Sequence, residues 1–284
     1  MVNWLLEPLG FAFMQRGLLA AVIVGIVCAL VGSYIVLRGM AFLGDALAHA
    51  ILPGLALGYL FSDGGRSSLF WWALGTAILT SIGMGTLSRG TRLRQDTAIG
   101  IIFAGMFALG IVLISSIRSY AVDLAHFLFG NILSVTSSDL WLTGVVGVAV
   151  LIAIALFYKE FMILSFDPVL AATLRLPARG LEILLYVLIA TAIVVSLQTV
   201  GVALVVAMLV TPAAAAYLVT KKLRRMMLVA SLIAAGSGVI GLYVSYYLNV
   251  ASGAAIVLTC TAVFLLIWAR HRLSKDRGES SPNR

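Results

Sequence analysis

ILLYVLIATAIVVSLQTVGVALVVAMLVTPAAAAYLVT, residues 183–220, runs for 38 residues without one Asp, Glu, Lys or Arg. A helix rises about 1.5 Å per residue and the hydrocarbon of a bilayer is about 30 Å thick, so one crossing uses about 20 apolar residues. The stretch is long enough for two crossings, folded back near Gln198, Thr199 and Gly201, where polar and small residues interrupt the run. The uncharged stretch 226–269 reads the same way, with its turn expected near Asn249, Ser252 and Gly253. Working outward, 17–37, 67–88, 97–117 and 140–158 carry no charge and are each about one bilayer long.

Composition agrees. Of 284 residues, 62% are hydrophobic and 11% charged, and mean hydropathy is +1.11. Water-soluble proteins carry about 25% charged residues, so a soluble domain is excluded and an all-α polytopic membrane protein is expected. Cys28 and Cys260 lie far apart inside apolar runs. They form no disulfide framework or metal-cluster spacing and read as small core residues. No cleavable signal peptide is expected, because the first apolar run continues to spanning length without a small-residue cleavage pattern.

The segment from about 41 to 61 is a ninth span, apolar except for Asp45 and His49. Eight spans is the alternative if residues 1–16 lie in the interface. The net charge of +8 is concentrated at span ends: SRGTRLRQD (88–96), KKLRR (221–225) and RHRLSKDRGESSPNR (270–284). By the positive-inside rule these face the cytoplasm and meet anionic lipid or cytoplasmic proteins, not nucleic acid. With nine spans, all nineteen Lys and Arg except Arg16, Arg66 and Arg118 fall inside, and the N-terminus is outside. Residues 1–272 are expected to form one transmembrane domain, and 273–284 a disordered basic tail. The outer segment 118–139, rich in aromatic and polar groups, reads as an interfacial helix. In the inner segment 159–180, Asp167-Pro168 is a helix start, because Asp caps free N–H groups and Pro is pre-set for the first turn.

An ionisable group at a membrane-helix centre costs about 2.5 to 3.5 kcal/mol on insertion scales, so it usually faces a cavity or partner. Asp45 and His49 share one helical face through their i, i+4 spacing, and imidazole with carboxylate ligates Zn²⁺, Mn²⁺ or Fe²⁺. Pro53, four residues after His49, breaks the helix and is expected to free the His49 carbonyl. Gly44, Gly54 and the alanines at 46, 48 and 50 permit close helix approach. The alternative is that Asp45 and His49 only pair with each other or cap a helix end. Two ligands leave a site incomplete, so another helix or a second copy must contribute. His126 reads as interfacial, His271 as solvated or against lipid headgroups, and Gln198 and Asn249 as satisfying their turns. The chain has no G-x-x-x-x-G-K-[ST], H-E-x-x-H or G-x-S-x-G motif. It also lacks a second membrane aspartate of the kind an intramembrane aspartyl protease would need. No enzymatic activity is expected of it.

GDALAHAILPGLALGYL (44–60) resembles the second-helix signature of the manganese/zinc/iron-type permeases of ATP-binding-cassette (ABC) importers. QTVGVALVVAMLVTPAAAAYL (198–218) is similar to that family's second signature, and FLFGNIL (127–133) and FDPVLAATLRLP (166–177) fall where the family has related segments. Arg175 stands where the family has glycine ahead of Leu-Pro. The resemblance implies an ABC importer permease fold in the bacterial cytoplasmic membrane, a homodimer, separate cytoplasmic ATPase subunits, and an extracytoplasmic metal-binding protein that delivers Mn²⁺, Zn²⁺ or Fe²⁺. It further implies that Asp45 and His49 line the translocation path and that no cofactor is bound permanently. Residues 166–177, with Phe166, Asp167, Pro168, Leu176 and Pro177, would be the coupling helix that docks on the ATPase. A permease for an iron or cobalt chelate (siderophore or cobalamin type) and an ATP-independent secondary metal transporter are the other readings.

Overall fold

The computed structural model describes residues 6–62, 66–90, 94–116 and 132–279. These form helices α1 (Ala12–Leu37), α2 (Leu43–Ala50), α3 (Leu52–Phe61), α4 (Arg66–Gly90), α5 (Gln95–Ser115), α6 (Ser137–Leu156), α7 (Tyr158–Phe166), α8 (Pro168–Thr173), α9 (Ala178–Val200), α10 (Val202–Val219), α11 (Leu223–Leu248) and α12 (Ser252–Glu279). Among the described residues there is no strand, and nine segments are long and apolar enough to cross a membrane, with α2 and α3 together making one of them. Every crossing is helical because hydrocarbon supplies no hydrogen bonds and a helix pairs its own backbone. Exposed apolar side chains such as Ile101, Val112, Trp141, Leu232, Leu258 and Leu266 cover the outside of the bundle. This is a multi-pass membrane protein.

Boundaries follow local chemistry. The double-length runs fold back at Gly201 and at Asn249, the latter in the left-handed region (φ 52°). The turns are satisfied by backbone: Gly201 N–H donates to Leu197 O, and Val250 N–H to Ser245 O. The expectation for Gln198 is corrected, since its buried side-chain oxygen has no partner among the described residues. Helix α6 starts at Ser137, earlier than expected, because Thr136 and Asp139 cap it reciprocally. The chain from 273 does not become irregular at once but continues α12 to Glu279. Propagating a nucleated helix adds one bond per residue, and no proline intervenes before Pro282. Near the N-terminus, a 3₁₀ turn (Pro8–Gly10) leads into α1. His126 and most of 127–133 lie outside the described residues.

Helix α1 is central, packing against α6, α9, α10 and α11, while α2 and α3 are held by α4 and α5. Cys28 and Cys260 are buried and free. At one end of the bundle two of the basic segments meet: Leu37, Phe166, Tyr217, Lys221, Lys222 and His271 border one cleft there.

Interhelical contact in a membrane depends on small residues that let backbones approach. A Cβ added at Gly110 of α5 would lie 2.6 Å from Leu52 Cβ and 3.2 Å from Pro53 Cδ. Gly110→Leu should therefore push α5 off the broken helix and lower stability by about 1 to 3 kcal/mol. A fall in the thermal unfolding midpoint of purified protein is the expected result, with Gly105→Leu, in open space, as the unaffected control.

Candidate translocation site

Asp45 lies in the first turn of α2 and His49 in its last, so one short helix presents both on one side. His49 Nε2 is 3.6 Å from Asp45 Oδ1, and the side chains are 33% and 41% exposed, respectively. That separation is too long for a hydrogen bond, so neither group is locked onto the other. It is also a spacing that two ligands could span around one ion with bonds of about 2.1 Å. The rest of α2 is buried, including Leu43, Ala46, Leu47 and Ala48. Burial of every neighbour fixes which face the pair must present.

The peptide at Ile51 interrupts the helix, and Pro53 occupies the second position of α3. Proline has no N–H to return to His49 O. The Ile51 N–H leans toward that carbonyl, but from only two residues away along a helical backbone it makes no well-aligned hydrogen bond. An aromatic wall was not anticipated. The His49 ring packs edge-on against Phe107 (5.9 Å between centroids) and tilted against Phe103 (6.4 Å), and these two phenylalanines stack on each other at 5.6 Å. Phe42 meets Phe103 edge-on. The only available signal was that Phe103 and Phe107 are one helical turn apart. No group of three or more His, Cys, Asp or Glu side chains that could hold a metal occurs among the described residues. Among the described residues Asp45 and His49 therefore stand together without a third such side chain.

At the basic end, Asp167 Oδ1 accepts from the N–H groups of Val169 (3.0 Å) and Leu170 (2.9 Å), and Pro168 opens α8. The helix closes when Leu176 N–H reaches Ala171 O at 3.1 Å, with Arg175 between them at φ 53°. That left-handed position after a helix favours glycine. It explains in backbone terms why glycine suits the place where this chain has Arg175. Pro177 then caps α9. Phe166, Val169, Leu170 and Leu174 are exposed while Ala171 is buried, so this segment offers an apolar surface beyond the spans. Exposed apolar patches of this kind mark contact surfaces.

Also at this end, Arg38 Nη1 lies 3.3 Å from Glu182 Oε1, and the two side chains are almost wholly buried. Burial pulls the guanidinium below its ordinary value, partly opposed by Tyr186 and Tyr34. Sequence reasoning missed this pair, since 144 positions separate its members and no spacing rule joins them.

These features define a helical membrane permease with a broken helix bearing a carboxylate and an imidazole. Residues 10–271 match the ABC 3 transport family, and the chain belongs to that family. It is 48% identical over 256 residues to the manganese transport system membrane protein MntC of Listeria innocua, covering 90% of each chain. Identity is 37% over 273 residues with the chelated iron transport system membrane protein YfeD of Yersinia pestis, covering 95% of this chain and 90% of YfeD. Among solved structures, PsaBC from Streptococcus pneumoniae in complex with Fab aligns with a TM-score of 0.80 at 40% identity, covering 94% of this chain and 95% of that one.

The geometry at residue 175 is testable. A non-glycine residue in the left-handed region carries a strain of about 1 kcal/mol, and a β-branched one more. Arg175→Gly should raise the thermal unfolding midpoint and Arg175→Val should lower it, with both measured on purified protein by differential scanning fluorimetry.

Proposed function

We propose that the chain is the permease subunit of an ABC importer for a divalent transition metal ion, Mn²⁺ or Fe²⁺ on the strength of its relatives' names, with Zn²⁺ chemically admissible. The observation that carries this reading is the Asp45–His49 pair. It sits in a membrane-spanning segment, half open, held on a buried helix and unable to complete a metal site by itself. A second copy related by a two-fold axis would bring another Asp45 and His49, giving mixed N and O ligation with no thiolate. Such a set binds Mn²⁺, Fe²⁺ and Zn²⁺ with little discrimination beyond the general affinity order, so selection belongs to an extracytoplasmic protein that delivers the ion.

ATP enters through partners. The chain has no phosphate-binding loop, and the exposed apolar segment 166–177 on the basic end is suited to dock cytoplasmic ATPase subunits. The basic ends place that face inside a bacterial cytoplasmic membrane. Metal handed over at the outer loops passes between the two permease copies, and closure of the ATPases, acting through 166–177, exposes the site alternately to each side. The pair must hold the ion firmly enough to admit it and weakly enough to release it.

Asp45→Ala and His49→Ala should each abolish metal uptake while leaving membrane insertion and ATPase assembly intact. The check is elemental analysis of cellular Mn, Fe and Zn in a deletion strain restored with wild type or either variant. Uptake at wild-type level by both variants would sink the pathway assignment. Uptake sensitive to competing siderophore would move the reading to a chelate permease.

A further inference from the structure

We propose that Arg38 is the tether that carries motion of the segment 166–177 to the helix bearing Asp45 and His49, acting as a positioning residue. This inference rests on the importer reading above. Its guanidinium grips both flanks of that segment. Nη1 donates to Glu182 Oε1 at 3.3 Å, and Nε donates to Ser165 Oγ at 3.3 Å. Ser165 is in the last turn of α7, immediately before Phe166, and Glu182 is in the opening turns of α9, just after Pro177. A planar fork can make two such contacts in fixed relative directions, which a lysine ammonium cannot reproduce.

The other side of the tether is equally firm. Arg38 ends α1, and the chain turns through Gly39 at φ 67°. Gly39 N–H donates to Val36 O and Met40 N–H to Ile35 O, the paired bonds of a Schellman turn. Leu43 N–H then bonds Met40 O, and Ala46 N–H bonds Phe42 O. Met40 and Leu43 are fully buried, and the Tyr186 hydroxyl of α9 reaches Met40 Sδ at 3.2 Å. Between Arg38 and Asp45 the backbone is tied down at Gly39, Met40 and Leu43 by these bonds. A shift of α7 and α9 is thereby delivered to the base of α2.

Stability does not account for the charge pair. Replacing a buried ion pair with well-packed apolar residues is often neutral or stabilising, because desolvation offsets the attraction. The pair does supply a directional joint between three helices that meet at the basic end.

The test uses the complete transporter, permease with its ATPase, in proteoliposomes loaded with ATP and supplied from outside with the delivering protein and radioactive manganese. The readout is manganese taken up per ATP hydrolysed, a ratio that loss of folded protein leaves unmoved. The double variant Arg38→Met/Glu182→Leu should keep ATP hydrolysis near the wild-type rate and lower the ratio about tenfold, the size expected of a residue along a coupling network. Ser165→Ala, which removes only the Nε contact, should lower it about threefold. If the double variant does not assemble with the ATPase, Ser165→Ala decides alone. A ratio equal to wild type in every assembled variant overturns the tether. Absence of ATP-dependent uptake of Mn²⁺, Fe²⁺ and Zn²⁺ by wild type would instead sink the importer reading, so the two failures are distinguishable.

Discussion

Inside hydrocarbon no water answers a polar group, so every N–H, C=O and hydroxyl must find a partner within the chain or face a cavity. Several span hydroxyls meet this requirement locally: those of Ser33, Thr191, Ser231, Thr259 and Thr261 each donate to the backbone carbonyl one turn earlier. Thr143 and Thr199 bond each other across α6 and α9 at 2.6 Å. Asp45 and His49 depart from this pattern. They stand beside each other beyond hydrogen-bond length and partly open, on a helix whose other faces are closed. Tyr34, Thr80, Gln198 and Ser237 also keep a polar atom without a partner among the described residues, but theirs are buried, whereas Asp45 and His49 are ionisable and partly open.

The same constraint explains what the sequence made legible. Crossing a bilayer demands a run of about 20 apolar residues, and that demand leaves a mark on composition whatever the helix packs against. The nine spans, the fold-backs at Gly201 and Asn249 and the helix start at Asp167-Pro168 were therefore readable from length, charge and turn chemistry. The Asp45–His49 pair was readable for a related reason: an ionisable group in an apolar run is costly enough to be informative by itself.

What stayed hidden depends on three-dimensional neighbours. Nothing in positions 38 and 182 announces that an arginine ending α1 will meet a glutamate near the start of α9. Phe103 and Phe107 look like any lipid-facing aromatics until α5 is laid against α2. Arg175 was visible as a departure from a pattern, and its meaning became physical only with its backbone angle.

An incomplete ligand pair is consistent with a transporter and would be a poor design for a storage site. A chain holding a third and fourth ligand of its own would bind the ion in every conformation, and release would cost the full binding free energy. On the proposed reading, with two ligands per chain, affinity would depend on how two copies are brought together, and that arrangement can differ between outward-open and inward-open states. A ligand shifts an equilibrium only through its differential affinity for the states. On the proposed reading, dividing the site between subunits supplies this differential, and no permanent high-affinity site is needed. The broken helix suits that role, because α2, which carries Asp45 and His49, is held at its base by the Arg38 turn, while Leu52 and Pro53 just beyond it pack closely on Gly110 of α5.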